Sequence, residues 1–364
     1  MTQRIFDADV HIYPASPASI NDYMPDGARL PRFYEGGGGN GFVLTRSGMR
    51  LDATPPSGGV AGSDPEYVLE HHLERYGVDY ALLNAGHLST IGRSPSAETV
   101  SAVCRATNDW IVNEWLPVDE RFLGSICVPT ADPDDAAQEI RRIADNKRMV
   151  SVYTATLPRL LGDRFYHPIY EACNELDLPF TFHVPATDVG SSLGHEFVGY
   201  SQTYAEFHVA FSLPAMRHLL NLVYEGTFER YPNLSIVILE SGTAWLPFML
   251  WRMDSEYRAN REDIPWLREL PSSYVRKHVR VATQPLEESS PGDRSDVAAL
   301  HKIVRGQDML IFASDYPHHD FDNPEIIRRK LPEEWHAKVF FENACTLFHL
   351  DERGLLADRA RSIV

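Results

Sequence analysis

The sequence predicts an α/β protein whose eight strands close into a (β/α)8 barrel of the TIM type, and three observations carry that prediction. Short apolar runs alternate with helix-length segments along the whole chain, the order of parallel βα units. Those runs are nearly continuous in apolar residues, as in strands buried on both faces. At 364 residues the chain is long enough for eight such units and one large insertion. The rival is a doubly wound open sheet. It wants a glycine-rich phosphate turn after the first strand, and Asp9-Val10-His11 offers none. No internal repeat or composition break marks a second domain, so residues 1–364 read as one barrel domain.

The elements follow in order. Ile5 to His11 is the first strand. Residues 12 to about 63 hold Pro14, Pro17, Pro25, Pro31, the glycine run Gly36–Gly39 and Pro55-Pro56, and read as an irregular insertion. So long a connection is uncommon inside a compact domain; its place suits an active-site lid or a subunit-contact arm. Asp64 caps a helix with Pro65 at its first position, reaching about Arg75. Further strands are expected at Asp79–Asn84, Phe122–Val128, Met149–Tyr153, Pro179–His183, Leu234–Glu240, Val279–Thr283 and Met309–Ser314. Helices are expected near 96–115, 132–146, 165–176, 213–231, 244–257 and 295–304, with the last ones near 323–330 and 333–349. A loop rich in Gly, Ser and His runs from His183 to about His208.

Composition narrows the function classes. With 43% hydrophobic residues the chain can bury a large core. The balance of 34 basic against 51 acidic residues gives −17, which argues against nucleic acid or an anionic membrane as partner and leaves a small molecule. Cys104, Cys127, Cys173 and Cys345 form no C-x-x-C pair and read as reduced core residues of a cytoplasmic protein. No apolar leader follows Met1 and no run of 18 apolar residues occurs.

In a barrel of this kind the chemistry sits at the C-terminal ends of the strands. The first strand ends with Asp9 and His11, two apart and so on one side. The fifth ends at His183, the sixth at Glu240, and the eighth leads into Asp315. Any one of these has a structural explanation, as a helix cap or a hydrogen-bonded histidine. Four strands delivering only Asp, Glu and His point to a divalent metal site. Around it, His318 is close enough in sequence to reach the site and His319 reads as solvated. Arg217 and Arg280 are candidate partners for a substrate carboxylate, each with a structural alternative. His71, His72, His301 and His349 read as surface or satisfied helix histidines. Trp245, Phe248 and Trp251 read as core, and Arg252 with Asp254 as a surface pair.

Asp-x-His after the first strand, His after the fifth and Asp after the eighth resemble the amidohydrolase superfamily. More narrowly, they resemble the branch that holds aminocarboxymuconate-semialdehyde decarboxylase, γ-resorcylate decarboxylase and related amidohydrolase-family proteins. Local matches are Leu239-Glu240-Ser241-Gly242-Thr243-Ala244-Trp245-Leu246-Pro247, Thr283-Gln284-Pro285-Leu286-Glu287, Ser314-Asp315-Tyr316-Pro317-His318 and Glu342-Asn343-Ala344. The resemblance implies one catalytic divalent ion, zinc first and manganese second, held by Asp9, His11, His183 and Asp315. It implies a homodimer too, for which the helix from Trp335 to His349 and the glycine-rich arm are candidate contacts. Two departures matter. Asp9 and Glu240 stand where many relatives carry histidine. Proton handling then falls to Glu240, to His208 or to His195.

Two reactions fit these residues. A metal lowers the pKa of bound water from about 15.7 toward 7, and Asp315 can take the water's proton, giving hydrolysis of a small organic substrate. Glu240 favours this reading, because it would repel a substrate carboxylate yet could protonate a leaving group if burial raises its pKa. The alternative is non-oxidative decarboxylation of an aromatic or enol acid, with Asp315 protonating a ring carbon. A third reading is a barrel without activity, used for binding.

Overall fold

The computed structural model describes residues 4–26, 48–91, 94, 96–155, 157, 159–183, 203–288 and 294–356. Eight strands are found: β1 Phe6–Ile12, β2 Tyr80–Ala85, β3 Phe122–Cys127, β4 Met149–Thr154, β5 Phe180–His183, β6 Ile236–Leu239, β7 Val279–Ala282 and β8 Leu310–Ile311. They pair in chain order, each parallel to the next. The first and last strands then meet. Ala8 N–H donates to Phe312 O at 3.0 Å and His11 N–H to Tyr316 O at 2.6 Å, while Val10 forms a parallel bridge with Tyr316. The (β/α)8 barrel is therefore the observed fold.

Strand residues are buried almost throughout, because inward side chains fill the barrel and outward ones lie under helices. The C-terminal segments cover the closing strands: Phe6 stacks on Phe348 at 5.2 Å and Phe312 on Phe340 at 4.9 Å. β1 is irregular. Its register to β2 shifts between Asp7 and Val10, where three residues of β1 advance against two of β2. Such a bulge turns a side chain away from the face its position would give it.

Helices begin where their caps predict. Asp64 accepts from Tyr67 N–H with Pro65 at the first position, and Asp132 accepts from Asp135 N–H before Pro133. The helix Pro65–Val68 continues as a π-helical stretch, Leu69–Glu74. The helices Tyr204–Val209 and Pro271–His278 are among those not expected. The second is capped by Asp254, whose oxygens accept from Ser272 N–H and Oγ–H at 2.9 and 2.8 Å. Asp254 is thus not the partner of Arg252, which pairs with Glu256 at 2.8 Å. Trp245 is buried as expected, but Phe248 and Trp251 are 61% and 58% exposed. The helix Leu246–Ala259 packs through Leu246, Met249, Leu250, Met253 and Tyr257, and the two aromatics lie off that face. Arg280 does not serve the site: its guanidinium donates to the Arg276 and Val279 carbonyls at 3.4 and 2.9 Å, at the start of β7. His301 is satisfied, by Val297 O at 2.8 Å and Thr243 Oγ1 at 2.7 Å.

Within the 12–63 insertion, residues 27–47 lie outside the described residues. Of the rest, the segment at Met49–Arg50 docks on the loop after β8. Arg50 N–H donates to Pro317 O at 2.9 Å, and Met49 bridges His318. The four cysteines are free thiols. Among the described residues no helix is long and apolar enough to cross a membrane.

Candidate active site

Asp9 and His11 come from β1, His183 from the end of β5, and Asp315 from the turn after β8. One ligand-type atom from each lies within 4.8 Å of the others. His11 Nε2 is 2.9 Å from Asp315 Oδ1 and 3.3 Å from Asp9 Oδ1. His183 Nε2 is 3.6 Å from Asp9 Oδ2 and 3.0 Å from Glu240 Oε2. Asp315 and Glu240 adopt φ of 59° and 47°, a left-handed conformation that non-glycine residues rarely take. Each strand end turns sharply there. Two residues after Glu240, Gly242 has φ of 67°, and a Cβ on it would strike the Glu287 carboxylate. That carboxylate accepts from Thr243 N–H, Thr243 Oγ–H and Ala244 N–H, which holds the turn carrying Glu240.

Supporting groups surround the four. Asn84 Nδ2 donates to Asp9 Oδ1 at 2.9 Å, and Asn84 Oδ1 accepts from Ser125 Oγ at 2.7 Å. His318 Nδ1 lies 2.7 Å from Asp315 Oδ1, and its Nε2 lies 3.0 Å from the Tyr13 hydroxyl. His208 Nε2 lies 3.0 Å from Asp320 Oδ2 and 3.6 Å from Glu240 Oε1, and Asp320 also accepts from Gln284 Nε2 at 3.0 Å.

The electrostatics of the cluster favour a cation. Burial alone would raise the Asp9 carboxyl, but the His11 charge and hydrogen bond overcome it and hold it at about 2. Burial works against charge on His11, and Asp9 and Asp315 outweigh it, so its pKa lies well above the usual imidazole value. Burial keeps His183 below that value. Burial, and then the charge of Asp315, raise Glu240. Hydrogen bonds that His208 donates to Asp320 and Glu240 push it up to about 10. Asp315 Oδ2 is buried without a hydrogen-bond partner among the described residues. Two buried carboxylates, two imidazoles and one such oxygen are a donor set that fits a divalent ion.

Of the other expected residues, His195 lies outside the described residues. Arg217 stands in the helix Ser212–Tyr224 beside His218, whose ring faces Phe182 of β5 at 5.5 Å. His319 is 39% exposed. Sequence reading missed Tyr13, Asn84 and Asp320. Asn84 ends the second strand and was there to be read; Tyr13 and Asp320 lie in loops whose course no periodicity gives.

Fold and cluster together define a barrel that gathers its buried polar side chains at the ends of strands 1, 5, 6 and 8. The chain belongs to the amidohydrolase family, which matches residues 6–350. It is similar to the gamma-resorcylate decarboxylase of Rhizobium radiobacter, 24% identical over 298 residues that span 77% of this chain and 86% of that one. Its fold is similar to that of 5-carboxyvanillate decarboxylase from Sphingomonas paucimobilis, at TM-score 0.68 and 21% identity, covering 96% of this chain and 99% of that one. The dihydroxybenzoic acid decarboxylase of Polaromonas sp. JS666, solved with manganese and the inhibitor 2-nitroresorcinol, matches at TM-score 0.62 and 18% identity over 98% of this chain and all of that one.

These relatives overturn the expectation of hydrolysis, since each is named for decarboxylation. The physical ground for hydrolysis also weakens. Glu240 was expected to repel a substrate carboxylate, yet His183 and His208 stand against its two oxygens.

Proposed function

We propose that this protein is a divalent-metal-dependent decarboxylase that removes carbon dioxide, without oxidation, from an aromatic acid with a hydroxyl beside its carboxylate. The observation that carries the reading is Asp315. It is wholly buried, with one oxygen against His11 and His318 and the other without a partner among the described residues. Such a group can both bind and pass a proton. The names of the relatives supply the substrate class, because γ-resorcylate carries hydroxyls on both sides of its carboxylate.

Asp9, His11, His183 and Asp315 would hold the ion. When bound, a divalent cation supplies the positive charge that anchors a carboxylate and its neighbouring hydroxyl. The two hard carboxylate donors, and the manganese in the Polaromonas enzyme, favour manganese over the zinc that the imidazoles suggest. Asp315 gives its proton to the ring carbon that bears the carboxylate; the ortho hydroxyl makes that carbon electron-rich. The bond to the carboxylate then breaks, its electron pair returns to the ring, and carbon dioxide leaves. His318, 2.7 Å from Asp315, and Tyr13, 3.0 Å from His318, form the chain that returns a proton to Asp315. Glu240 and His208 form the polar wall beside His183, with the charge of Glu240 offset by the His208 imidazole.

The test is carbon dioxide release from 2,6-dihydroxybenzoate and 5-carboxyvanillate by metal-loaded protein. Release that disappears on chelation and in Asp315→Asn supports the reading. No release from any ortho-hydroxybenzoate, by protein holding a full equivalent of metal, overturns it.

A further inference from the structure

We infer that Asp7 and His72 are positioning residues that set the spacing between Asp9 and Asp315; the inference rests on the metal-site reading above. Both are wholly buried. Strand periodicity would put Asp7 on the same side as Asp9 and His11. The bulge between Asp7 and Val10 breaks that periodicity, and Asp7 meets the helical segment after residue 65 instead. Its Oδ2 is 2.7 Å from His72 Nε2. Its Oδ1 accepts from Asp9 N–H at 3.2 Å and from Ser314 N–H at 2.9 Å.

One oxygen atom therefore holds the backbone of Asp9 and the residue just before Asp315. The two belong to opposite ends of the chain and meet only where the barrel closes. His72 fixes the carboxylate that does this. A carboxylate only accepts, so the His72 Nε2 carries the hydrogen. The His72 ring also stacks on Tyr316 at 4.5 Å and 21°. Tyr316 follows Asp315, and its carbonyl accepts the His11 N–H at 2.6 Å. His72 thus bears on segments that carry three of the four clustered residues. It can do so from the π-helical stretch Leu69–Glu74, whose wide turn also brings the adjacent His71 Nδ1 to 3.1 Å from the Tyr316 hydroxyl. Asp7 is not itself a ligand, since both its oxygens are engaged. Groups of this kind orient ligands at one remove, and losing them typically weakens metal binding 10- to 100-fold.

Two variants separate the hydrogen bond from the ring. His72→Gln keeps an N–H near the Nε2 position and loses the ring; His72→Phe keeps the ring on Tyr316 and loses the N–H. The readout is the manganese dissociation constant of substrate-free protein, by competition with a chromophoric chelator, beside the thermal midpoint of the metal-free form. Expected is a 10- to 100-fold weaker constant in His72→Phe and one within about threefold of the parent in His72→Gln. Equal constants in parent and His72→Phe overturn the inference alone. Should His72→Phe not fold, a folded His72→Gln that binds more than tenfold weaker than the parent overturns it equally. A parent protein that binds no divalent ion overturns the metal reading and this inference with it.

Discussion

Glu240 Oε2 stands 3.0 Å from His183 Nε2, so the carboxylate that ends the sixth strand touches one of the four clustered residues. Its other oxygen is 3.6 Å from His208 Nε2. In the proposed reaction Glu240, beside the His208 imidazole, is a wall of the site and Asp315 is the proton donor. Glu240→Gln is expected to keep carbon dioxide release within about tenfold of the parent, while Asp315→Asn loses about 100- to 10,000-fold. A Glu240→Gln variant as inactive as Asp315→Asn would transfer the donor role to Glu240.

Metal content gives a second test. Protein purified without added metal is expected to carry about one equivalent of a divalent ion, and Asp9→Ala or His183→Ala to carry much less. Elemental analysis reads this directly. Active protein holding less than about 0.2 equivalents, and indifferent to chelator, would remove the metal from the mechanism.

The third test is pH-dependent stability. Hydrogen bonds to Asp320 and Glu240 raise His208 from 6.5 to about 10, so the folded protein binds that proton more tightly than the unfolded chain. The stabilisation is full below about pH 6.5 and is lost as pH climbs toward about 10. Solvent screening reduces it to the order of 1–2 kcal/mol. His208→Asn should therefore lower the thermal midpoint of metal-free protein at pH 6.5 and approach the parent near pH 10. A gap between parent and variant that does not change with pH would show that the His208 contacts are not ionic.

Asn84 offers a fourth. Its amide donates to Asp9 at 2.9 Å and to Ala8 O at 3.2 Å, and it is wholly buried. Asn84→Leu is expected to weaken manganese binding 10- to 100-fold by freeing the Asp9 carboxylate to turn. Unchanged affinity in a folded variant would mean that the strand alone holds Asp9.

What sequence could disclose here followed from periodicity and composition. Apolar runs located all eight strands, and the residues that stop those runs, Asp9, His11, His183 and Asp315, are the ones the fold gathers. Periodicity failed where the backbone departs from it. Asp7 shares the parity of Asp9 and His11, and only the bulge separates them. His71 and His72 read as ordinary helix residues, because an extra residue in a helical turn leaves no mark on composition. Phe248 and Trp251 read as core from their helical spacing with Trp245, although their helix buries a different stripe. Loop residues such as Tyr13 and Asp320 have no period, and only the closed barrel brings them to the site. The reaction was hidden for a different reason: the same four side chains serve hydrolysis and decarboxylation, and the ranking rested on a charge, that of Glu240, whose neighbours come from elsewhere in the chain.

The meeting of β1 with the turn after β8 has a consequence for how the protein is made. Asp9 and His11 are made well before Asp315, and the hydrogen bonds of Ala8 and His11 to Phe312 and Tyr316 cannot form until residue 316 has been added. A chain still in synthesis can hold at most three of the four gathered residues, without the seam that spaces them. Assembly of the site therefore waits until translation has passed residue 316.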